Sequence, residues 1–247
     1  MSAVLIPKTR PAPKVPESHN QWAKLDLAEI LALPTAYLAI GYANSILSPK
    51  GAQAAEMLWE RGRQPGGAIG NTVKLVHAAR QNGIRMIWTK YRIFRQEYPQ
   101  SPMDKVQYDF WASHYPDWNE EQKQWDWQPV DEIKSLMRPG EPEIYYTSLG
   151  NVFLGTMLPA YLNMWGIRTV ILSGYHLDWC IEQAARTCRD MGYMPIVIGD
   201  ACGCGVESDE EPTLERLDRF FAPVISTERC ISLLQRATEI REGRRVR

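Results

Sequence analysis

From residue 36 to the end of the chain, short apolar runs alternate with longer segments of helical period. The runs at 36–40 (AYLAI), 84–89 (IRMIWT), 144–146, 169–172 (TVIL), 195–198 (PIVI) and 224–225 have strand length. Between them, residues 52–62, 71–82, 154–165, 180–191, 211–221 and 227–237 read as helices, and residues 22–33 carry a weaker helical pattern. In the second of these, Val73, Leu75, Val76 and Ala79 share one broad face, and Asn82-Gly83 stops the helix. The strand runs are apolar throughout, without polar alternation. Such strands are buried on both sides, so the pattern predicts a mostly parallel sheet with helices on both faces, a three-layer α/β/α fold. Functional groups in sheets of this kind sit beyond the carboxyl ends of the strands. Here those ends are 41–49, 90–95, 147–153, 174–180 and 199–205.

Two segments depart from the alternation. Pro7, Pro11, Pro13 and Pro16 forbid a helix or central strand near the start, so residues 1–20 read as an extended arm and 21–247 as the domain. Residues 91–142 show little periodicity and hold Trp111, Trp118, Trp125 and Trp127. An insertion of that length is either a lid or an interface, or an irregular excursion packed by its own aromatic side chains.

Charge narrows the function classes. Lys plus Arg is 28 and Asp plus Glu is 29, a formal net charge of −1. That argues against a nucleic-acid partner held by bulk positive charge and against a polybasic membrane binder. No apolar run approaches a membrane span, and the four-residue apolar patch at 3–6 is too short for a secretory signal. The five cysteines then read as reduced thiols in a cytoplasmic protein. Cys202 and Cys204 are too closely spaced for a zinc pair, and the four histidines are scattered, so no metal and no cofactor is expected.

The stretch around Cys180 carries the most chemistry. A strand ends at Ser173-Gly174, a short turn follows, and a helix is expected to begin near Cys180. A thiol at a helix N-terminus meets unpaired N–H groups that favour thiolate and can hold an oxyanion. His176 and Asp178 are the nearest titratable side chains in sequence: His176 suits either a general base near neutral pH or a structural histidine, and Asp178 suits either a catalytic role or a helix cap. The Gly-rich stretch at 64–71 (QPGGAIGN) lacks the Lys-Ser/Thr ending of a phosphate loop and reads as the turn before the next helix. Asp209, Glu210 and Glu211 read as a solvated helix start.

Residues 174–180 (GYHLDWC) resemble the Gly-[Val/Leu]-Ala-Thr-Asp-x-Cys turn of the isochorismatase-like cysteine hydrolases. The resemblance continues through 182–186 (EQAAR) and 198–201 (IGDA). Residues 153–158 (FLGTML) are similar to the family's Phe-x-Gly-Thr-x-Leu, and Asn44, Leu47, Ser48 and Pro49 to the end of its opening motif. It spans about residues 35–237 and implies the same three-layer fold. It also implies hydrolysis of a C–N bond in a small amide, ureide or related substrate, with Cys180 as nucleophile. The backbone N–H groups of Cys180 and, across a cis peptide, His176 would form the oxyanion hole.

The family triad is Asp, Lys and Cys. Gly41 stands at the Asp position, Ala43 at the neighbouring Gln, and Thr147 at the Lys; Cys180 alone is retained. No Asp or Glu lies between Leu31 and Lys50, and no Lys between Lys134 and Cys180, so a shift in alignment does not restore the triad. Replacement groups are sought in His176, Asp178 and Lys90, with Asp104, Asp109 and His114 on the insertion. Tyr42, Asn44, Lys90, Tyr91, Thr147, Phe153 and Tyr175 are the expected substrate-binding residues, with Tyr145 and Tyr146 as further candidates. The alternative is a catalytically altered homologue that binds a small molecule or acts as a scaffold. The resemblance also implies a homodimer or homotetramer, to which the arm and the Trp-rich insertion are suited.

Overall fold

The computed structural model describes residues 12–19, 21–91, 102–146 and 150–245. Six strands form one sheet: β1 (Thr35–Ile40), β2 (Arg85–Tyr91), β3 (Glu143–Tyr146), β4 (Thr169–Tyr175), β5 (Met194–Gly203) and β6 (Val224–Ile225). Their order is β3-β2-β1-β4-β5-β6, and every pairing is parallel. The chain therefore winds outward in both directions from β1. The gap between the carboxyl ends of β1 and β4 is the switch point where sites in such sheets form.

Strand alternation divides the interior into two cores. One side takes Tyr37, Ala39, Tyr42, Trp88, Ile171 and Tyr175, packed by the helices Ala68–Gln81 and Thr227–Arg245. The other takes Ala36, Leu38, Ile40, Ile87, Tyr146, Phe153, Leu172 and Cys180. The helices Leu158–Met164, Glu182–Asp190 and Glu207–Phe220 contribute to that second core. The fully buried strands explain the unbroken apolar runs in the sequence: all residues of β1 and β4 are buried.

Several elements differ from the expectation. The helix expected at 52–62 is reduced to Glu56–Trp59 and a tight turn at Arg61–Arg63. The helix expected at 154–165 starts only at Leu158, because the Asn151 carboxamide and the Thr156 hydroxyl bond the backbone of the preceding turn. The insertion is more ordered than its lack of period suggests. It carries helices Pro102–Ser113, Glu120–Asp126 and Asp131–Lys134, the second opened by reciprocal bonds between Asn119 and Gln122. Glu210 is not solvated: it is buried, and it pairs with Arg61.

The described part of the arm lies along its own chain. Ser18 N–H donates to Val224 O at 3.0 Å, and Ser226 N–H to Glu17 Oε1 at 3.1 Å. Val15 packs on the second core.

Candidate active site

Cys180 sits in a wide turn, Leu177–Ile181, that leads from β4 into helix Glu182–Asp190. The turn closes through Ile181 N–H to His176 O at 3.0 Å, a five-residue reach. The helical path thus begins three residues before the thiol, earlier than the expected start. The Tyr175–His176 peptide bond is cis. Two N–H groups, those of His176 and Cys180, are turned toward the sulfur, and Tyr146 Oη lies 3.9 Å from it.

These donors do not make a resting thiolate. Burial pushes the Cys180 thiol up to about 11; the His176 N–H, the Tyr146 hydroxyl and the Cys180 N–H oppose that rise, and the Asp178 carboxylate adds to it. On the order of one thiol in a few thousand is ionised at pH 7.5. Nucleophilic attack from this site therefore needs a base that removes the proton as the bond forms.

The expected site residues distribute over both sides of the sheet. Phe153 and Tyr146 share the core with Cys180. Asn44 begins the short helix Asn44–Leu47 and ties the insertion to the end of β1, its Nδ2 donating to Trp125 O at 3.0 Å. Tyr42 and Tyr175 project into the opposite core, with rings edge to face at 5.6 Å. Tyr42 Oη bonds Thr72 Oγ1 and Ser173 Oγ there. Lys90 alternates with Thr89 and so shares the Trp88 side. It pairs with Glu143 and lies over the rings of Trp127 and Tyr145, 5.5 and 5.6 Å away. Its charge is thus spent on the side of the sheet away from Cys180. Tyr91 ends β2, paired with Tyr146 in register. Thr147 lies outside the described residues.

The two titratable neighbours in sequence behave differently. Asp178 is exposed and accepts from the Cys204 thiol. His176 is held below its ordinary value by burial, against the pull of Asp178, so its imidazole is neutral at pH 7. Its Nε2 is buried without a partner among the described residues, and the ring packs edge-on to Trp179 at 6.1 Å.

Sequence reasoning missed Asp126. It lies in the insertion, 1% exposed, with Oδ1 accepting from Ala52 N–H at 2.9 Å and Oδ2 buried without a partner among the described residues. Burial pushes it up to about 7, opposed by the Ala52 N–H. The available signal was the single acidic residue between Trp125 and Trp127, within a segment read only as irregular. Beside it, Lys50, Trp118, Glu121, Gln122 and Trp125 line a hollow of about 540 Å3. Among the described residues no group of three His, Cys, Asp or Glu is placed to hold a metal. No helix among them is long and apolar enough to cross a membrane.

Residues 36–229 match the Isochorismatase domain family. The chain belongs to that family. Its fold is close to a cysteine hydrolase from Pseudomonas syringae pv. phaseolicola (TM-score 0.64, 17% identity, 93% of this chain and 99% of that one). It is also close to N-carbamoylsarcosine amidase from Thermoplasma acidophilum (TM-score 0.59, 19% identity, 79% and 98%). In sequence it is 28% identical to ureidoacrylate amidohydrolase RutB of Pseudomonas savastanoi pv. phaseolicola over 108 residues, 42% of each chain. The match thus spans less than half the length of that relative. With the same enzyme of Agrobacterium fabrum the identity is 24% over 196 residues, 70% of this chain and 79% of that one.

Proposed function

We propose that this protein hydrolyses a C–N bond of a small amide or ureide through a covalent Cys180 intermediate. The observation that carries the reading is the pair of N–H groups, from His176 and Cys180, that converge on the sulfur. A carbonyl carbon attacked by that sulfur would place its oxygen within reach of the same donors. Sulfur bonds to carbon as the thiol proton leaves. The C–N bond breaks as the nitrogen takes up a proton, and water then cleaves the thioester. Relatives named for ureidoacrylate and N-carbamoylsarcosine hydrolysis support the substrate class. The reading includes a cytoplasmic homodimer or homotetramer. The test is turnover of ureidoacrylate, N-carbamoyl amino acids and nicotinamide, followed as ammonia release. We expect ureides to exceed nicotinamide, and Cys180→Ala to lose about a thousandfold or more in kcat/KM. Full turnover by Cys180→Ala would end the covalent reading.

A second reading is favoured by one pair of observations. The raised Cys180 thiol and the glycine at the first triad position both suit a homologue that binds a small molecule without cleaving it. Tight binding of a ureide by the wild type, with no ammonia released and no acylated Cys180 by mass spectrometry, would establish it.

A further inference from the structure

The site as described holds an oxyanion cradle and a protonated thiol, and lacks a base at the position where the family places its carboxylate. The neighbouring carboxylates are otherwise engaged. Asp178 is exposed and bonded to Cys204, Glu182 is held by Arg186 and Arg216, and Glu143 pairs with Lys90 on the opposite side of the sheet. Asp126 differs from all of them. Its Oδ2 is the one carboxyl oxygen among the described residues that is buried with no hydrogen-bond partner.

Its placement in the fold gives that oxygen a purpose. The segment that carries Asp126 is stitched to the chain just after Gly41. Asn44 N–H donates to Gln128 O at 2.8 Å, Val130 N–H to Tyr42 O at 2.9 Å, and Ala43 bridges Pro129. The insertion thus delivers a carboxyl to the end of β1 from another part of the sequence. The segment crosses the end of the sheet: Trp127 lies by Lys90 and Val130 packs in the opposite core, while the Asp126 carboxyl is held from the Cys180 side. Ala52, which binds Oδ1, belongs to the core that contains Cys180, and Tyr115 and Trp118 pack against that core. The titratable group facing Asp126 is the Tyr115 hydroxyl, which is turned to the carbonyls of Ala52 and Gly51 at 3.1 and 3.4 Å.

We propose that Asp126 is the acid–base residue of this site, standing in for the carboxylate that Gly41 cannot supply. The inference rests on the hydrolase reading above. Ionised Asp126 takes the proton of Cys180 as sulfur bonds to the carbonyl carbon. The proton passes to the nitrogen as the C–N bond breaks; the carboxylate then accepts a second proton from the water that attacks the thioester and returns it to the Cys180 sulfur as the C–S bond breaks. Burial, opposed by the Ala52 N–H, sets the group close to neutrality, which suits a residue that must both take and return a proton.

The test needs no substrate. Cys180 alkylation by iodoacetamide is followed between pH 5.5 and 10 on the full chain, with the modified peptide read by mass spectrometry so that the other cysteines do not interfere. The wild-type rate is expected to show an inflection near pH 7. Asp126→Asn keeps an oxygen for the Ala52 N–H and removes the proton chemistry. It should abolish the inflection and slow alkylation at pH 7.5 by about tenfold or more. A wild-type rate that follows one ionisation near 11, the thiol's own, overturns the proposal without reference to any variant. So does an Asp126→Asn profile superimposable on the wild type, or loss of the inflection in His176→Ala with retention in Asp126→Asn. If Cys180→Ala keeps turnover on the amide panel, the hydrolase reading falls, while the alkylation profile still decides whether Asp126 serves the thiol.

Discussion

A Cβ added to Gly41 would lie 2.3 Å from the carbonyl oxygen of Tyr175. Gly41 also has φ +70°, a left-handed backbone that side chains other than glycine adopt at a cost. Its N–H donates to Thr89 Oγ1 at 3.3 Å, which fixes the turn from the β2 side. The position where the sequence resemblance expects the triad carboxylate is therefore closed by backbone.

Restoring the family residue at this position should fail. Gly41→Asp must displace the Tyr175 carbonyl, next to the His176 N–H that the proposed function assigns to the oxyanion. We expect a loss of about 2 kcal/mol or more in urea denaturation. Gly41→Asp with Thr147→Lys should show no more amidase turnover than the wild type. A stable, faster double variant would contradict the backbone closure.

The buried thiols set a limit at alkaline pH. Burial raises Cys180 to about 11, and Cys204 and Cys230 to about 12. Unfolded thiols ionise near 8.5, so the unfolded state sheds protons first. The stabilisation is complete below that value and is lost as pH rises from about 8.5 through the folded values. Urea midpoints should fall steadily between pH 8 and pH 10. Cys230→Ala should flatten that slope, even if its midpoint at pH 7 is lower.

Tyr42 is a structural hub in the opposite core. Its hydroxyl meets Thr72 Oγ1 at 2.5 Å and Ser173 Oγ at 2.8 Å, and Ser173 also meets Tyr37 Oη at 2.5 Å. Tyr42→Phe strips partners from buried hydroxyls and should cost about 1–3 kcal/mol. The rate of Cys180 alkylation should stay within a factor of about two, since the lost bonds lie across the sheet. A tenfold change in that rate would place Tyr42 in the site after all.

The Arg61–Glu210 pair offers a cleaner pH signature. Arg61→Met leaves the Glu210 carboxylate buried opposite an apolar side chain, at a cost of about 3–5 kcal/mol near pH 7.5. Burial already pushes Glu210 up, against the pull of Arg61. Without the arginine the group rises further, and the variant regains stability as pH falls and the carboxyl protonates. A wild-type-minus-variant difference that is flat between pH 5 and 8 would refute this account.

The strands were legible because both faces of the sheet are covered, so β1 and β4 are apolar at every position. The turn at 174–180 was legible because its residues are contiguous in sequence. What lay hidden was contributed from a distance. Asp126 reaches the end of β1 through hydrogen bonds between residues more than eighty apart in sequence, such as Asn44 and Trp125. Glu210 is buried because Arg61, far earlier in the chain, meets it. Lys90 and Tyr42 were correctly placed at strand ends, yet their facing depends on the parity of the strand. A shift of one position exchanges the two sides of the sheet.

The bond from Ser18 to Val224 covers one border of the sheet. β6 is the terminal strand on its side, and its outward hydrogen-bonding groups would otherwise offer a template for another chain. The Ser18 N–H takes the Val224 carbonyl and the Glu17 carboxylate takes the Ser226 N–H, so the protein terminates its own sheet there with one backbone and one side-chain group of its arm. Any continuous sheet shared between two copies is thereby confined to the β3 border, where Glu143 and Tyr145 project to one side and Ile144 and Tyr146 to the other.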